Sequence, residues 1–238
     1  MQLLGDRNYR WTGGAPASIF LAVLFSLGTV FLVCAGSDVP RDSDYDYDPP
    51  APGSYELPVV KRAGDGAIVD SEGKSLNLHD LTRGRITILS FIYTRCAAAR
   101  ACPYAAGVLN QLHMLSVDDE ALARNMRLVT MSFDPENDTP QRLADYAVAV
   151  RDKKGGCEWR FATAKSRAAL ESILKEYDQA VDKRTDAADP QGPLYHTLRV
   201  FLIDRQGQIR NIYSSATLDP RLVIGDVKTL LLAEGKQP

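Results

Sequence analysis

From about residue 58 onward, short runs of consecutive apolar residues alternate with segments in which apolar residues recur every three or four positions. Residues 67–74 predict a short strand that ends in a Glu-Gly turn. The other runs that predict β-strands are residues 86–93, 127–133, 158–162, 198–204 and 208–213. Residues 86–93 and 127–133 are rich in β-branched and aromatic side chains, which predicts that they are buried central strands. The last two runs flank residues 205–207 and predict a hairpin.

The periodic segments predict four helices. They cover residues 103–115, 138–153, 165–177 and a final stretch that begins at Asp219–Pro220. Asp138 or Thr139 can cap the second helix, with Pro140 in its first turn. Residues 182–193 are polar and contain Pro and Gly, which predicts a loop. Strand–helix alternation that ends in a hairpin and a helix is the order of an α/β, thioredoxin-like fold with a central mixed sheet and flanking helices.

A single uncharged segment, residues 15–36, precedes this domain and is long enough to cross a membrane. Arg7 and Arg10 lie before it, and mostly acidic residues follow it, which predicts a cytoplasmic segment 1–14 and an exported domain. Residues 37–57 are acidic and Pro-rich and predict a disordered tether, so the folded domain is expected at 58–238. We therefore expect a single-pass protein of the inner membrane with its soluble domain in the periplasm. Two alternatives are a cleaved signal peptide and a lipoprotein signal that uses Cys34.

Charge and cysteine content exclude two classes of protein. The net charge is −2, and no basic stripe is present, so no nucleic-acid partner is expected. Four cysteines in 238 residues are too few for a disulfide scaffold. Their positions are therefore more informative than their number.

Cys96 and Cys102 directly follow the predicted central strand 86–93. A thiol at this place lies near a helix N-terminus, whose positive end stabilises the thiolate. Six residues of helix would separate the Cα atoms by about 9 Å, too far for a disulfide, so the two sulfurs can meet only if part of 96–102 is not helical. The pair predicts a redox or metal site, with a structural disulfide or two unrelated buried cysteines as alternatives.

The remaining cysteine and histidine residues complete the candidate set. Cys157 is expected to be a buried free thiol, His79 a surface or capping residue, and His113 a residue that faces solvent or its neighbours. His196, just before the strand 198–204, could join the two thiols in an S₂N site. Thiolates with imidazole suit Cu(I), or Zn(II) with a fourth ligand.

Three motifs resemble the Sco/SenC family of membrane-anchored, thioredoxin-like proteins. They are FIYTRC at 91–96 with Cys102–Pro103, SFDPENDTP at 132–140, and HTLRVFLIDRQG at 196–207. The resemblance implies a copper site, for Cu(I) or Cu(II), formed by Cys96, Cys102 and His196. It also implies a role in assembling the binuclear copper centre of cytochrome c oxidase subunit II, or of another cuproprotein, by copper delivery or by thiol reduction. Asp134 resembles a family aspartate near the site, although a turn or capping role fits its Asp-Pro context equally well.

This sequence departs from the usual family pattern in the cysteine motif. The family spacing is CxxxC with Pro after the first Cys, whereas here five residues intervene and Ala97 replaces that Pro. The leading hypothesis is a membrane-anchored copper-binding protein whose redox state controls loading. The alternatives are a thiol–disulfide oxidoreductase that uses Cys96 and Cys102 as its catalytic redox pair without stable metal binding, and a binding module with a structural disulfide.

Overall fold

A computed structural model describes residues 47–151, 155–186 and 188–235. The ten strands in this part of the chain are β1 Lys61–Arg62, β2 Ala67–Asp70, β3 Ser75–Asn77, β4 Ile86–Ile92, β5 Met126–Ser132, β6 Glu158–Ala164, β7 Val181–Lys183, β8 Leu194–His196, β9 Arg199–Ile203 and β10 Gln208–Ser214. The six helices are α1 Leu78–Thr82, α2 Cys102–Val117, α3 Glu120–Asn125, α4 Pro140–Val150, α5 Arg167–Glu176 and α6 Pro220–Ala233.

Eight strands form one mixed sheet in the order β1-β10-β9-β4-β5-β6-β2-β3. β4 pairs in parallel with β5, from Ile86 opposite Met126 to Ile92 opposite Ser132, and antiparallel with β9. All seven β4 residues are buried, as expected for a strand covered on both faces. The predicted α/β class and the two central strands are therefore confirmed.

The side chains of β4 alternate between two apolar layers. Ile86 and Ile88 pack into a cluster with apolar residues of α2, α4 and α6. Leu89 and Phe91 point to the other face, where α1 and α5 cover the sheet. The domain thus has three layers, and the carboxyl end of β4 opens directly into the segment that contains Cys96.

The structure confirms the hairpin and the four predicted helices and changes several boundaries. Thr139 caps α4 through a hydrogen bond from the backbone N–H of Arg142, at 3.3 Å, and α4 ends at Val150 rather than at residue 153. The prediction of a loop across residues 182–193 is wrong at its start, because Asp182 and Lys183 lie in β7 and pair with β8 in a separate two-stranded sheet. Backbone hydrogen bonds pair these two short strands, and their sequences show no alternation of apolar and polar residues from which they could be predicted.

Residues just before the expected domain boundary also pack against the domain. The backbone N–H of Gly53 donates to Thr229 Oγ1 at 2.9 Å, and Tyr55 donates from its hydroxyl to Asp226 at 2.6 Å. Arg210 donates from Nε to the Leu57 carbonyl at 2.8 Å, and Leu57 is buried. The disordered-tether prediction therefore does not hold for residues 53–57, because specific hydrogen bonds to α6 and β10 fix this end of the acidic, Pro-rich segment 37–57.

The predicted membrane segment 15–36, like residues 1–14 and 37–46, lies outside the described residues. In the part of the chain that the structure does describe, no helix has both the length and the apolar character needed to cross a membrane. Membrane placement therefore stays a prediction from the sequence.

Candidate metal centre

Cys96 and Cys102 lie at opposite ends of the short segment that joins β4 to α2. Residues 96–101 are not helical, and Cys102 is the first residue of α2, followed by Pro103. Proline suits this position because the first turn of a helix needs no donor there. The predicted condition for the two sulfurs to meet is thus fulfilled, and the two thiols hydrogen-bond each other. Both cysteines are free thiols in the structure.

The two thiols have opposite acidities. The hydrogen bond from Cys102 lowers the pKa of Cys96 to about 6, against the opposing effect of partial burial, and the backbone N–H groups of Ala98 and Cys102 add to the lowering. The same hydrogen bond, together with burial, raises the pKa of Cys102 far above that of an ordinary thiol. Cys96 is half-buried whereas Cys102 is only 2% exposed. The geometry therefore defines one reactive thiolate and one protonated partner beneath it.

A cavity of about 360 Å³ lies beside both sulfurs, between α2 and α4. Its walls are mostly apolar and belong to Tyr93, Thr94, Cys96, Cys102, Pro103, Ala106, Gly107, Asn110, Tyr146, Ala149 and Val150. Burial and the nearby thiols raise the pKa of Tyr146. A molecule in this cavity would meet the thiol pair directly.

Two carboxylates of the segment after β5 fix the backbone just before Cys96. Asp138 is fully buried and accepts hydrogen bonds from the Thr94 backbone N–H at 3.0 Å, the Thr94 hydroxyl at 2.5 Å and the Ser132 hydroxyl at 2.5 Å. Asp134 is 6% exposed and pairs with Arg95 at 2.8 Å. Asp134 has both of the roles that the sequence left open. Its side chain binds Arg95, next to Cys96, and its backbone carbonyl accepts a hydrogen bond from the N–H of Asp138 at 2.8 Å, which closes a turn.

His196 lies in β8 with its imidazole buried, 8% exposed. Its Nε2 atom is buried and has no hydrogen-bond partner among the described residues. Burial lowers the pKa of His196 to about 4, so the ring is neutral at physiological pH. A neutral imidazole with an unpartnered nitrogen is the form of histidine that binds a metal ion.

The thiol pair and His196 are linked through two aromatic rings. Tyr93 packs against Phe133 with a ring-centroid distance of 5.3 Å, and Phe133 packs against His196 at 4.5 Å. Within residues 47–151, 155–186 and 188–235, no three His, Cys, Asp or Glu side chains lie close enough together to hold a metal ion. The structure therefore brings the cysteines together and places the histidine beyond the aromatic pair, so the three-ligand set stays a prediction.

The donor atoms nevertheless fit a soft monovalent metal. Two sulfurs in mutual contact and an unpartnered imidazole nitrogen match the preference of Cu(I) for thiolate and imidazole. The buried Nε2 of His196 has no partner among the described residues, and leaving a buried polar atom unpaired costs folding free energy. A bound metal ion would supply the missing partner.

The other predicted candidates lie outside this region. Cys157 is confirmed as a buried free thiol, with a pKa that burial raises to about 11. His79 is in α1, where its Nδ1 lies 3.1 Å from Asp65 and its backbone N–H bonds the same carboxylate. His113 does not face solvent: it is 1% exposed and packs against Trp159 at a centroid distance of 5.7 Å. None of the three lines the cavity beside the thiols.

Sequence reasoning missed the residues that hold the site together. Tyr93, Thr94 and Tyr146 line the cavity, and Asp138 was considered only as a helix cap. One signal in the sequence could have found these contacts. Thr94 and Arg95 are polar residues directly after a buried apolar strand, so their side chains need hydrogen-bond partners at the end of the neighbouring strand, where Asp134 and Asp138 lie.

Comparisons with known proteins identify the family of the chain. The family model described as SCO1/SenC matches residues 62–232. The chain belongs to the SCO1/SenC family. The SCO1 protein homolog of Bacillus subtilis (strain 168) is 24% identical over 208 residues, which cover 85% of this chain and 93% of that protein.

Solved Sco structures show the same fold. Arabidopsis thaliana ScoI with copper bound superposes with a TM-score of 0.58 at 21% identity, covering 71% of this chain and 98% of that one. BsSco, named as a member of the Sco family of cytochrome c oxidase assembly proteins with a disulfide switch, gives a TM-score of 0.56 at 22% identity and covers 76% and 97%. These likenesses confirm the predicted thioredoxin-like fold of this SCO1/SenC member.

Proposed function

We propose that this SCO1/SenC protein binds Cu(I) as cargo through the thiolates of Cys96 and Cys102, with the Nε2 atom of His196 as third ligand. The observation that carries the proposal is the contact between a low-pKa thiol and its buried partner, together with the unsatisfied imidazole nitrogen behind Phe133. Copper-bound relatives with the same fold support it.

Redox state controls loading in this proposal. A disulfide between Cys96 and Cys102 removes both thiolate ligands, so only the dithiol form binds copper. The pair can close because residues 96–101 form a non-helical loop rather than a helical turn. Oxidation would therefore release the metal, and reduction would restore the site.

Copper titration of the full-length chain, purified in detergent, tests this proposal. All variants carry Cys34→Ser so that only the three thiols of the domain are counted. The reduced parent is expected to bind one equivalent of Cu(I), and the oxidised parent none. The double variant C96S/C102S should lose binding while C157S, at a buried thiol outside the site, keeps it. Equal Cu(I) binding by C96S/C102S and C157S would contradict the proposal.

A second function is supported by the acidity difference between the two thiols. Cys96 thiolate can attack a disulfide of a partner protein, forming a mixed disulfide and releasing one partner thiolate. Cys102 then loses its proton and attacks the Cys96 sulfur, which releases the second partner thiolate and leaves the Cys96–Cys102 disulfide. Two electrons pass to the partner. His196 takes no part in these steps.

His196→Ala separates the two functions. If copper handling is the function, this variant weakens Cu(I) binding by at least tenfold and leaves thiol exchange with a disulfide peptide unchanged. If exchange is the function, the variant is fully active and the parent itself binds Cu(I) no more tightly than a free dithiol. Inert thiols and no metal uptake would instead favour the structural-disulfide module.

We further propose the inner membrane as the location, with the domain in the periplasm, and cytochrome c oxidase subunit II or another cuproprotein as the partner. The arginines before residues 15–36 and the acidic stretch after them support this orientation. Protease added to intact spheroplasts should remove the domain. Protection of the domain until the membrane is opened would contradict the orientation. Transfer of Cu(I) to the soluble copper domain of subunit II is the matching test for the partner.

A further inference from the structure

Tyr93 connects the backbone on either side of the site. Tyr93 directly follows β4, three residues before Cys96, and is 1% exposed. Its hydroxyl donates toward the carbonyl of Leu194 at 3.0 Å and that of Gln191 at 3.3 Å. Gln191 lies in the segment that enters β8, and Leu194 is the first residue of β8, the strand that contains His196.

Two further contacts dock this segment against the thiol loop. The backbone N–H of Ala97 donates to the Gln191 carbonyl at 3.1 Å. Gly192 has a φ of +102°, and a Cβ atom there would lie 2.4 Å from the Tyr93 hydroxyl and 2.7 Å from the Arg95 carbonyl. Only glycine permits so close an approach. The segment before His196 is therefore set by contacts with residues 93–97, and Tyr93 supplies the only side-chain hydroxyl among these contacts.

We infer that Tyr93 is a positioning residue for copper binding: its hydroxyl holds the Gln191–Leu194 segment and so sets where His196 lies relative to the thiols. Tyr93 need not touch the metal. Its ring reaches His196 through Phe133, and its hydroxyl fixes the backbone two residues before the histidine. The inference rests on the proposed function and adds a residue that the three-ligand set does not include.

The test is a double-variant cycle on Cu(I) affinity, measured with the full-length chain and a chromophoric Cu(I) chelator. Tyr93→Phe keeps the ring that packs on Phe133 and removes only the hydroxyl. The measurements are made above about pH 8.5, where Cys96 is ionised in every variant, so that a change in the pKa of Cys96 does not affect the measured Cu(I) affinity. Tyr177→Phe is the matched control, because its buried hydroxyl also donates to a backbone carbonyl, that of Gly64 at 3.2 Å, outside the site.

Tyr93→Phe is expected to weaken Cu(I) binding about three- to tenfold, the range of one lost hydrogen bond, while Tyr177→Phe leaves it unchanged. In a His196→Ala background the effect of Tyr93→Phe should shrink to less than about twofold, since no imidazole is left to position. An undiminished effect in that background would overturn the inference, as would full affinity of Tyr93→Phe in the parent.

Amide hydrogen exchange of the apo protein gives a readout that needs no metal. Protection should fall in Tyr93→Phe at the amides of Ala97 and Arg184, which donate to the carbonyls of Gln191 and Pro193 in this segment, and should stay unchanged in Tyr177→Phe. Unchanged protection in both variants would contradict the inference. If the parent binds no Cu(I), or His196→Ala binds it normally, the proposed function fails while the exchange result still decides whether Tyr93 holds the segment.

Discussion

Removing the Cys102 thiol should raise the pKa of Cys96 and slow its alkylation in mild acid. Cys102→Ala deletes the hydrogen bond that contributes most to the low pKa of Cys96 and leaves the contributions of the backbone N–H groups. Cys102→Ser replaces the thiol with a hydroxyl that can still donate. We therefore expect the midpoint of the rate–pH profile of Cys96 near pH 6 in the parent, at least one unit higher in Cys102→Ala, and between these in Cys102→Ser.

The size of the effect depends strongly on the pH of the measurement. At a pKa of about 6, Cys96 is about 90% ionised at pH ~7, whereas an ordinary thiol with a pKa of about 8.5 is about 3% ionised. This roughly 30-fold gain in thiolate is offset about tenfold, because nucleophilicity falls with pKa at a Brønsted slope of about 0.4–0.5. At pH ~5 the thiolate ratio rises to about 300, so Cys96 should react about 20-fold faster than an ordinary thiol.

The assay is alkylation of the reduced full-length chain with iodoacetamide, followed by mass spectrometry of the separate cysteine peptides. Cys157, buried and with a raised pKa, is the internal control and should remain unmodified while the protein is folded. A parent profile centred near pH 8.5, or identical profiles for the parent and Cys102→Ala, would refute the assigned hydrogen bond.

Three further predictions concern stability. Asp138→Asn places an amide NH₂ group against donors such as the backbone N–H of Thr94. It should lower the free energy of unfolding, measured with urea, by about 1–3 kcal/mol. A smaller loss would show that the buried carboxylate does not hold the loop. His196 has a folded pKa of about 4 against about 6.5 unfolded, so the unfolded state binds more protons between these values. As the pH is lowered from about 6.5 to about 4, the free energy of unfolding should therefore decrease by about 3 kcal/mol in the parent and by less in His196→Gln. Equal slopes in the two proteins would contradict the burial of a neutral ring. Tyr55→Phe removes the hydrogen bond to Asp226 and should lower stability by about 1 kcal/mol without changing Cu(I) affinity, and an affinity change would show that residues 53–57 influence the site.

The strands and helices of this domain were predictable because apolar periodicity reflects burial directly. The run at 86–93 proved to be the buried strand β4, and the alternation along the chain gave the correct fold class. β7 and β8 were not predictable, since each has three residues and backbone bonds that carry no period. Tyr55 and Gly53 were assigned to a tether because composition does not record hydrogen bonds to residues more than 170 positions away.

The candidate site was predictable in its chemistry and less so in its geometry. Position after a central strand identified Cys96 and Cys102, and the need for a non-helical loop followed from helix dimensions. Which thiol is acidic could not be predicted, because that depends on which sulfur is buried beneath the other. The distance between His196 and the thiols also depends on the Tyr93–Phe133 pair, and ring packing between remote strands has no local sequence signal.

The contact between Thr94 and Asp138 has a consequence for how the reactive thiol arises during folding. The two residues are 44 positions apart, and the backbone that leads into Cys96 is fixed only when β5 has paired with β4 and the following turn has closed. Contacts of such separation form late relative to helical turns. The backbone that leads into Cys96 is therefore expected to reach its final position only after β4 and β5 have paired.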